Sequence, residues 1–289
     1  MTKKKKIIIA VTAVLLVLTA LILIITLRGC NRGEGAFVYD NSGKYTAGEW
    51  SESLAVSSLD IEWLEGEVRV VSSVDLNTLT ISESADEELD VGVSMHYYFD
   101  GGILRIKPCA SGTRIDKVPE KTLTVYLPIG YSLTDLDITT SGADIIIEEA
   151  YSPASFMELS SSSGRISLDL LGSSKELLIK NDSGRVDFTH KRGRISYFSL
   201  EGKTGEVSLD LAEVPTTSKV KTGSGNILIT LSENAGYKLN YSVGSGSYSS
   251  EFEGEKTEGG ILVGSGGSSL TVTTSTGKLS IKKAAGNNE

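Results

Sequence analysis

Along most of the chain apolar and polar residues alternate one for one, and at regular intervals a small residue followed by glycine interrupts the alternation. The pattern reads Ser141-Gly142-Ala143-Asp144-Ile145, Ser163-Gly164-Arg165-Ile166-Ser167-Leu168, Ser183-Gly184-Arg185-Val186-Asp187-Phe188 and Thr204-Gly205-Glu206-Val207-Ser208-Leu209. It continues as Ser224-Gly225-Asn226-Ile227 and Ser245-Gly246-Ser247-Tyr248, with a last copy at Thr276-Gly277-Lys278-Leu279-Ser280-Ile281. The glycines at 142, 164, 184, 205, 225 and 246 are 22, 20, 21, 20 and 21 residues apart. A second alternating run precedes each glycine, as in Leu136-Asp137-Ile138-Thr139, Met157-Glu158-Leu159-Ser160 and Leu177-Leu178-Ile179-Lys180.

The unit is therefore strand, glycine turn, strand, return loop. A period of two buries one face of each strand, and glycine is expected at the turn to supply a positive φ. A unit of about 21 residues cannot bury its apolar face alone, whereas stacked copies share a continuous core. The spacing predicts an all-β fold, a β-solenoid of stacked two-strand rungs in which like strands of successive rungs pair side by side.

Upstream the pattern is looser. Leu59-Asp60-Ile61 with Gly66-Glu67-Val68-Arg69-Val70 reads as an early rung, and Leu76 to Ile81 as a further strand. Ser82 to Asp90 is an acidic loop, and Val91 to Phe99 with Gly102 to Lys107 forms a hairpin around Asp100-Gly101. Leu123 to Leu127 is a strand closed by Pro128.

One segment breaks this grammar. Ile7 to Leu27 contains only Ile, Leu, Val, Ala and Thr, 21 residues without a charge. As a helix rising about 1.5 Å per residue it covers the roughly 30 Å hydrocarbon core of a bilayer. Lys3, Lys4, Lys5 and Lys6 precede it and Arg28 and Arg32 follow, so the positive-inside bias puts the N-terminus in the cytoplasm and the rest outside. The rival reading is a cleaved signal, whose apolar region runs to about 7–15 residues. Gly29-Cys30 fits the end of a lipoprotein signal, and Arg28 does not. The expected layout is a cytoplasmic tail over 1–6, a transmembrane helix over 7–27, a juxtamembrane linker over 28–51, a β-strand-repeat domain over 52–283 and a fraying end over 284–289.

Charge sharpens the division. The net charge is −9, but all six basic residues of the first 33 stand without an acidic one, which leaves 22 basic and 37 acidic groups beyond them, a net of −15. An acidic domain argues against nucleic acid as a partner, because phosphate binding needs a basic face. Two Cys and two His cannot build a zinc array or a disulfide scaffold. Cys109, some eighty residues from Cys30, reads as a small apolar packing residue.

Candidate chemistry is sparse. Gly202-Lys203-Thr204 lacks the leading glycine of a phosphate loop, since position 197 is Tyr197. Lys203-Thr204-Gly205 and Lys221-Thr222-Gly223 copy a penicillin-recognising triplet without an upstream Ser-x-x-Lys. His96 and His190 stand 94 residues apart and read as strand or surface histidines. Asp86-Glu87-Glu88 and Glu148-Glu149 lack the ligand spacing of a calcium loop. No catalytic, cofactor-binding or metal-ligating residue is expected. Lys191, Arg192 and Arg194, in His190-Lys191-Arg192-Gly193-Arg194, form the one basic cluster of the acidic domain and the candidate contact for an anionic polymer; a charged loop between rungs is the plainer alternative.

Asp100-Gly101-Gly102-Ile103-Leu104-Arg105-Ile106, Leu123-Thr124-Val125-Tyr126-Leu127-Pro128, the Ser-Gly-x-Ile repeats and the stretch from Gly264 to Ile281 resemble the bacterial β-strand-repeat family of unknown function labelled "putative adhesin", which is toastrack-like. The similarity covers about residues 52–283. It implies surface attachment or an envelope role and carries over no catalytic residue.

The combined expectation is a membrane-anchored, extracytoplasmic, non-enzymatic scaffold that meets cell-wall or surface glycans or an envelope protein. The alternative is an accessory or sensor of envelope-stress signalling, which its six-residue tail would oblige to work through a membrane partner. Glycan cleavage by paired carboxylates is a third possibility for which no spacing singles out a pair.

Overall fold

The computed structural model describes residues 35–51, 55–150, 153–258 and 260–285. The apolar run Ile7–Leu27, its flanking basic residues and Cys30 lie outside them. Among the described residues no helix is long and apolar enough to cross a membrane; the helical turns there are two short 3-10 pieces, Ser42–Lys44 and Ile115–Lys117.

The strands form two large sheets on either side of one core, beside a separate two-stranded sheet. In spatial order the parallel part of the first is Ile103–Lys107, Ser58–Trp63, Leu133–Thr140, Ala154–Ser161, Ser174–Asn181, Ile195–Gly202, Thr217–Thr222, Ser268–Thr274 and Tyr237–Ser242. The second runs Lys121–Pro128, Gly66–Ser73, Asp144–Ala150, Ile166–Leu170, Val186–His190, Val207–Leu211, Ile227–Leu231, Lys278–Lys283 and Ser247–Ser250. Nine rungs at about 4.8 Å per step make a rod about 40 Å long.

Parallel pairing, in register apart from an irregularity between Ile147 and Ala150, turns core positions into ladders. Leu59, Leu136, Met157, Leu177 and Phe198 align in one sheet, with Ile61, Ile138, Leu159, Ile179 and Leu200 beside them. Ile145, Ile166, Val186, Val207 and Ile227 align in the other. All of these are buried. Phe188 and Phe198 meet across the core with ring centroids 5.4 Å apart. His190 takes a leucine's place in this scheme: it lies between Leu170 and Leu211, 1% exposed, its Nε2 against the Gly172 carbonyl at 3.1 Å.

The corner glycines are where the structure departs from expectation. None of Gly142, Gly164, Gly184, Gly205, Gly225, Gly246 and Gly277 has a positive φ. Glycine is required because the corners stack: a Cβ on Gly184 would overlap the Gly164 carbonyl oxygen, and one on Gly205 that of Gly184. A Cβ on Gly225 would overlap the Gly205 carbonyl oxygen in the same way. Beneath each corner runs a buried column of small polar side chains, Thr140, Ser161, Asn181, Thr222 and Thr274, aligned through Gly202. These satisfy the corner backbone: Gly164 N donates to Ser161 Oγ at 2.9 Å, Gly184 N to Asn181 Oδ1 at 2.6 Å and Asn181 Nδ2 to the Gly164 carbonyl at 2.8 Å.

Rung order follows chain order from Leu133 to Leu231 and is exchanged at both ends. The last rung in sequence, residues 268–283, is inserted between rung 217–231 and rung 237–250. Likewise rung 58–73 lies inside rung 103–128. The end rungs are therefore the second and the second-to-last in sequence, and each is followed or preceded by an antiparallel flap. The predicted hairpin is one of these, His96–Asp100 on Ile103–Lys107, turned by Gly101 and Gly102 at φ 58° and 86°. Two parts of the stretch assigned to a linker join the fold: Trp50 is buried and bridges Ile81, and Ala36–Phe37 pairs with Thr113–Arg114.

A buried ammonium ties this end together. Lys121 Nζ lies 2.5 Å from Glu83 Oε1, donates to the Val93 carbonyl at 2.5 Å and to that of Pro108, and sits 4.9 Å from the centre of the Trp63 ring. Trp63 Nε1 donates to the Lys121 carbonyl at 3.1 Å, and Glu83 Oε2 accepts from Met95 N at 2.8 Å. Burial pulls the Lys121 ammonium below its ordinary value, with Glu83 opposing the shift. Cys109 is a buried free thiol pushed up to about 11 by desolvation, in keeping with a packing role.

Two substitutions test this account by chemical denaturation. Gly205→Ala, forced against backbone, is expected to cost about 2–3 kcal/mol, whereas Gly92→Ala, with nothing within 4 Å of its added methyl, stays within about 0.5 kcal/mol of the parent. Lys121→Met strands the Glu83 charge and is expected to cost about 3–5 kcal/mol; adding Glu83→Gln removes that charge and recovers more than half of the loss.

Candidate functional site

Outward-facing residues inherit the ladder register. On the second sheet neighbouring rungs match charge with charge. Arg69 bonds Glu67 at 2.8 Å and also Glu148, while Arg165 and Arg185 both reach Asp187, at 3.0 and 2.8 Å.

The first sheet is organised differently. One outward ladder reads Asp135, Phe156, Glu176, Tyr197 and Thr217. The next reads Asp60, Asp137, Glu158, Leu178, Ser199 and Lys219. A third reads Glu62, Thr139, Ser160, Lys180, Glu201 and Lys221. Acidic residues gather toward the first rungs and lysines toward the later ones. Asp135, Asp137, Phe156, Glu158, Glu176 and Leu178 line a shallow groove of about 200 Å³. Phe156 is 38% exposed there, with Lys175 Nζ 5.6 Å from its ring centre; Lys219 Nζ is 5.7 Å from the ring of Tyr197.

The groove's electrostatics centre on Asp137. Desolvation on the crowded ladder pushes its carboxyl up to about 6; the like charges of Glu158 and Asp60 add to the shift and Lys180 opposes it. Glu158 itself is held by Lys180 at 2.5 Å. The groove thus offers carboxylate acceptors beside an exposed flat ring, a combination that suits polar rings or hydroxyl-rich chains. Among the described residues no group of three or more His, Cys, Asp or Glu is placed to hold a metal.

The basic cluster predicted at the return loop makes contacts of its own. Lys191 Nζ bonds Asp169 Oδ2 at 2.8 Å, and Arg192 Nε donates to the Leu171 carbonyl at 3.1 Å. Arg194 borders a separate cavity of about 260 Å³ lined by Glu213, Thr216, Ser232, Asn234 and Ser268. The Phe156 groove went unread because its residues meet only across rungs; the one available signal is that Asp135, Phe156, Glu176 and Tyr197 occupy corresponding places in successive repeats.

These features define the protein's class, a parallel two-sheet β-solenoid whose surface chemistry runs in ladders along the rod. The family model described as Toastrack DUF4097 matches residues 53–282, and the chain belongs to that family. No curated protein matches the sequence. Among solved structures, a "putative adhesin" of Bacteroides fragilis is 14% identical and aligns over 86% of this chain and 100% of its own, with TM-score 0.42. A "putative cell adhesion protein" of Clostridium sporogenes is 11% identical over 83% of this chain and 98% of its own, TM-score 0.32. A "putative lipid binding protein" of Parabacteroides distasonis is 12% identical over 83% and 98%, TM-score 0.38.

The raised Asp137 carboxyl gives a pH test. Because folding favours its protonated form, the group contributes stability that is present below its ordinary value of about 4 and is lost as pH rises through about 6. Asp137→Asn is therefore expected to match the parent at pH 4 and to exceed its stability at pH 8 by on the order of 1 kcal/mol, a figure discounted for solvent screening; denaturant midpoints at the two pH values measure it.

Proposed function

We propose that the chain is a non-enzymatic adhesion or envelope-interaction scaffold, held in the membrane by Ile7–Leu27 with its N-terminus inside, and that the Toastrack domain meets surface or cell-wall glycans on the outer face of its first sheet. The observation that carries the reading is the set of outward ladders, in which Phe156 and Tyr197 alternate with Asp135 and Glu176 at rung spacing. A repeat of ring and carboxylate every second rung, about 10 Å, suits an extended polymer, since alternate rungs offer it a similar contact. The net charge of −15 beyond residue 33 favours neutral or zwitterionic chains over strongly anionic ones.

The full chain in detergent is expected to co-sediment with purified cell-wall sacculi, and the double variant Phe156→Ser/Tyr197→Ser to lose at least about five-fold in binding, the order expected for two stacking contacts at roughly 0.5–1 kcal/mol each. External protease on intact cells is expected to shave the Toastrack domain. Absence of sedimentation together with unchanged surface attachment on gene deletion would overturn the binding role; full protease protection would overturn the placement.

A further inference from the structure

Each of the two sheets has two edges, and three of the four are blunted. The first sheet ends on one side in Thr46–Ala47, two residues long, and on the other in Glu255–Thr257, which is short and carries Glu255 and Lys256. The second sheet begins with Thr80–Ser84, across which Trp50 is fastened: Trp50 N donates to the Ile81 carbonyl at 3.0 Å and Ile81 N to the Trp50 carbonyl at 2.8 Å. Short strands, charges and covering bridges are the usual protections of a sheet edge.

The fourth edge, Ser247–Ser250, lacks both charge and cover. It pairs only with Lys278–Lys283 and has no strand on its outer side among the described residues. At the same end of the rod the first sheet is covered by the antiparallel strands Gly260–Val263 and Glu255–Thr257, so the chain caps one sheet and leaves the other open. Glu251 N donates to the Ile281 carbonyl at 3.0 Å; by the alternation of a parallel ladder Ser247, Ser249 and Glu251 turn their backbone groups inward, and Tyr248 and Ser250 turn theirs outward. Beside this edge Tyr241, 41% exposed, stacks on Tyr248 with ring centroids 4.0 Å apart.

We propose that this edge is a self-association surface, on which Ser247–Ser250 of one copy pairs antiparallel with the same strand of a second copy. The sequence is self-complementary in the register that pairs the two outward residues with each other: Tyr248 faces Ser250, Ser249 lies on the twofold axis facing itself, and Glu251 faces Ser247. No carboxylate meets another carboxylate, and four backbone hydrogen bonds form around the axis. Two 10-stranded sheets become one continuous sheet, and the two Tyr241–Tyr248 stacks are brought to the shared end face. A charged extended peptide fits less well, because the strand supplies no charge to answer it. The proposal is independent of the glycan and membrane reading.

The register makes a sharp test. Ser249 and its counterpart form a non-hydrogen-bonded antiparallel pair with Cα atoms about 4.5 Å apart, within the range a disulfide spans. In the full chain in detergent, with Cys30→Ser to remove a competing thiol, Ser249→Cys is expected to oxidise to a covalent dimer. Ser224→Cys, exposed at a corner midway along the rod, is expected to stay monomeric. Light scattering is expected to give twice the chain mass for the parent and the chain mass for Ser249→Lys, with the melting temperature unchanged. Covalent dimerisation of the Ser249→Cys variant no faster than that of the Ser224→Cys variant, or a parent that stays monomeric at every concentration reached, would overturn self-pairing. A parent that is monomeric alone but binds a different protein through this strand would overturn it as well.

Discussion

The contact on which the structure depends is the approach of one corner to the next. Gly184 sits so close over the Gly164 carbonyl, and Gly205 over that of Gly184, that no side chain fits between them. Parallel strands at about 4.8 Å require their connecting turns to stack at the same spacing, and only a corner without a Cβ allows this. Once the corners are stacked, the two strands on either side of each are held in one register, and a slip by a single residue would turn every buried side chain outward. The aliphatic ladders, the polar column of Ser161 and Asn181, and the outward Asp135–Phe156–Glu176–Tyr197 series are consequences of that constraint.

Much of this was legible because it is local. The recurrent glycines and the alternation around them identify the unit, its two strands and the stacked all-β architecture. The reason for the glycines was not: sequence spacing cannot distinguish a turn that needs positive φ from one that needs empty space, and the stacked corners need the space. Rung order at the ends was illegible for a related reason. Every rung presents the same grammar to its neighbour, so alternation alone does not decide whether Gly277 stacks on Gly225 or on Gly246; it lies between them. The hint was the longer interval, 31 residues from Gly246 to Gly277, which is taken up by a flap.

Chemistry was less legible than architecture. The basic cluster at Lys191, Arg192 and Arg194 is contiguous in sequence, and the fold adds contacts that spacing does not show, Lys191 to Asp169 and Arg192 to the Leu171 carbonyl. The reverse holds for Phe156, Glu176 and Tyr197, which are about twenty residues apart and become neighbours only through register. A lysine at the start of a strand ordinarily faces water. The N-terminal flap encloses Lys121 instead, so that Glu83, Val93 and Pro108 supply what solvent would have.

The exchanged rungs at the two ends also bear on force. A rod whose terminal segments formed its outermost rungs could be unzipped from the tip, one ladder at a time. Here the first and last rungs in sequence, which contain Ser58–Trp63 and Lys278–Lys283, are flanked on both sides by parallel partners. Tension entering at Lys278–Lys283 must therefore shear two ladders at once before that rung is released, whereas tension from the N-terminal side first meets Ala36–Phe37 and Thr46–Ala47, the latter paired with the flap strand His96–Asp100.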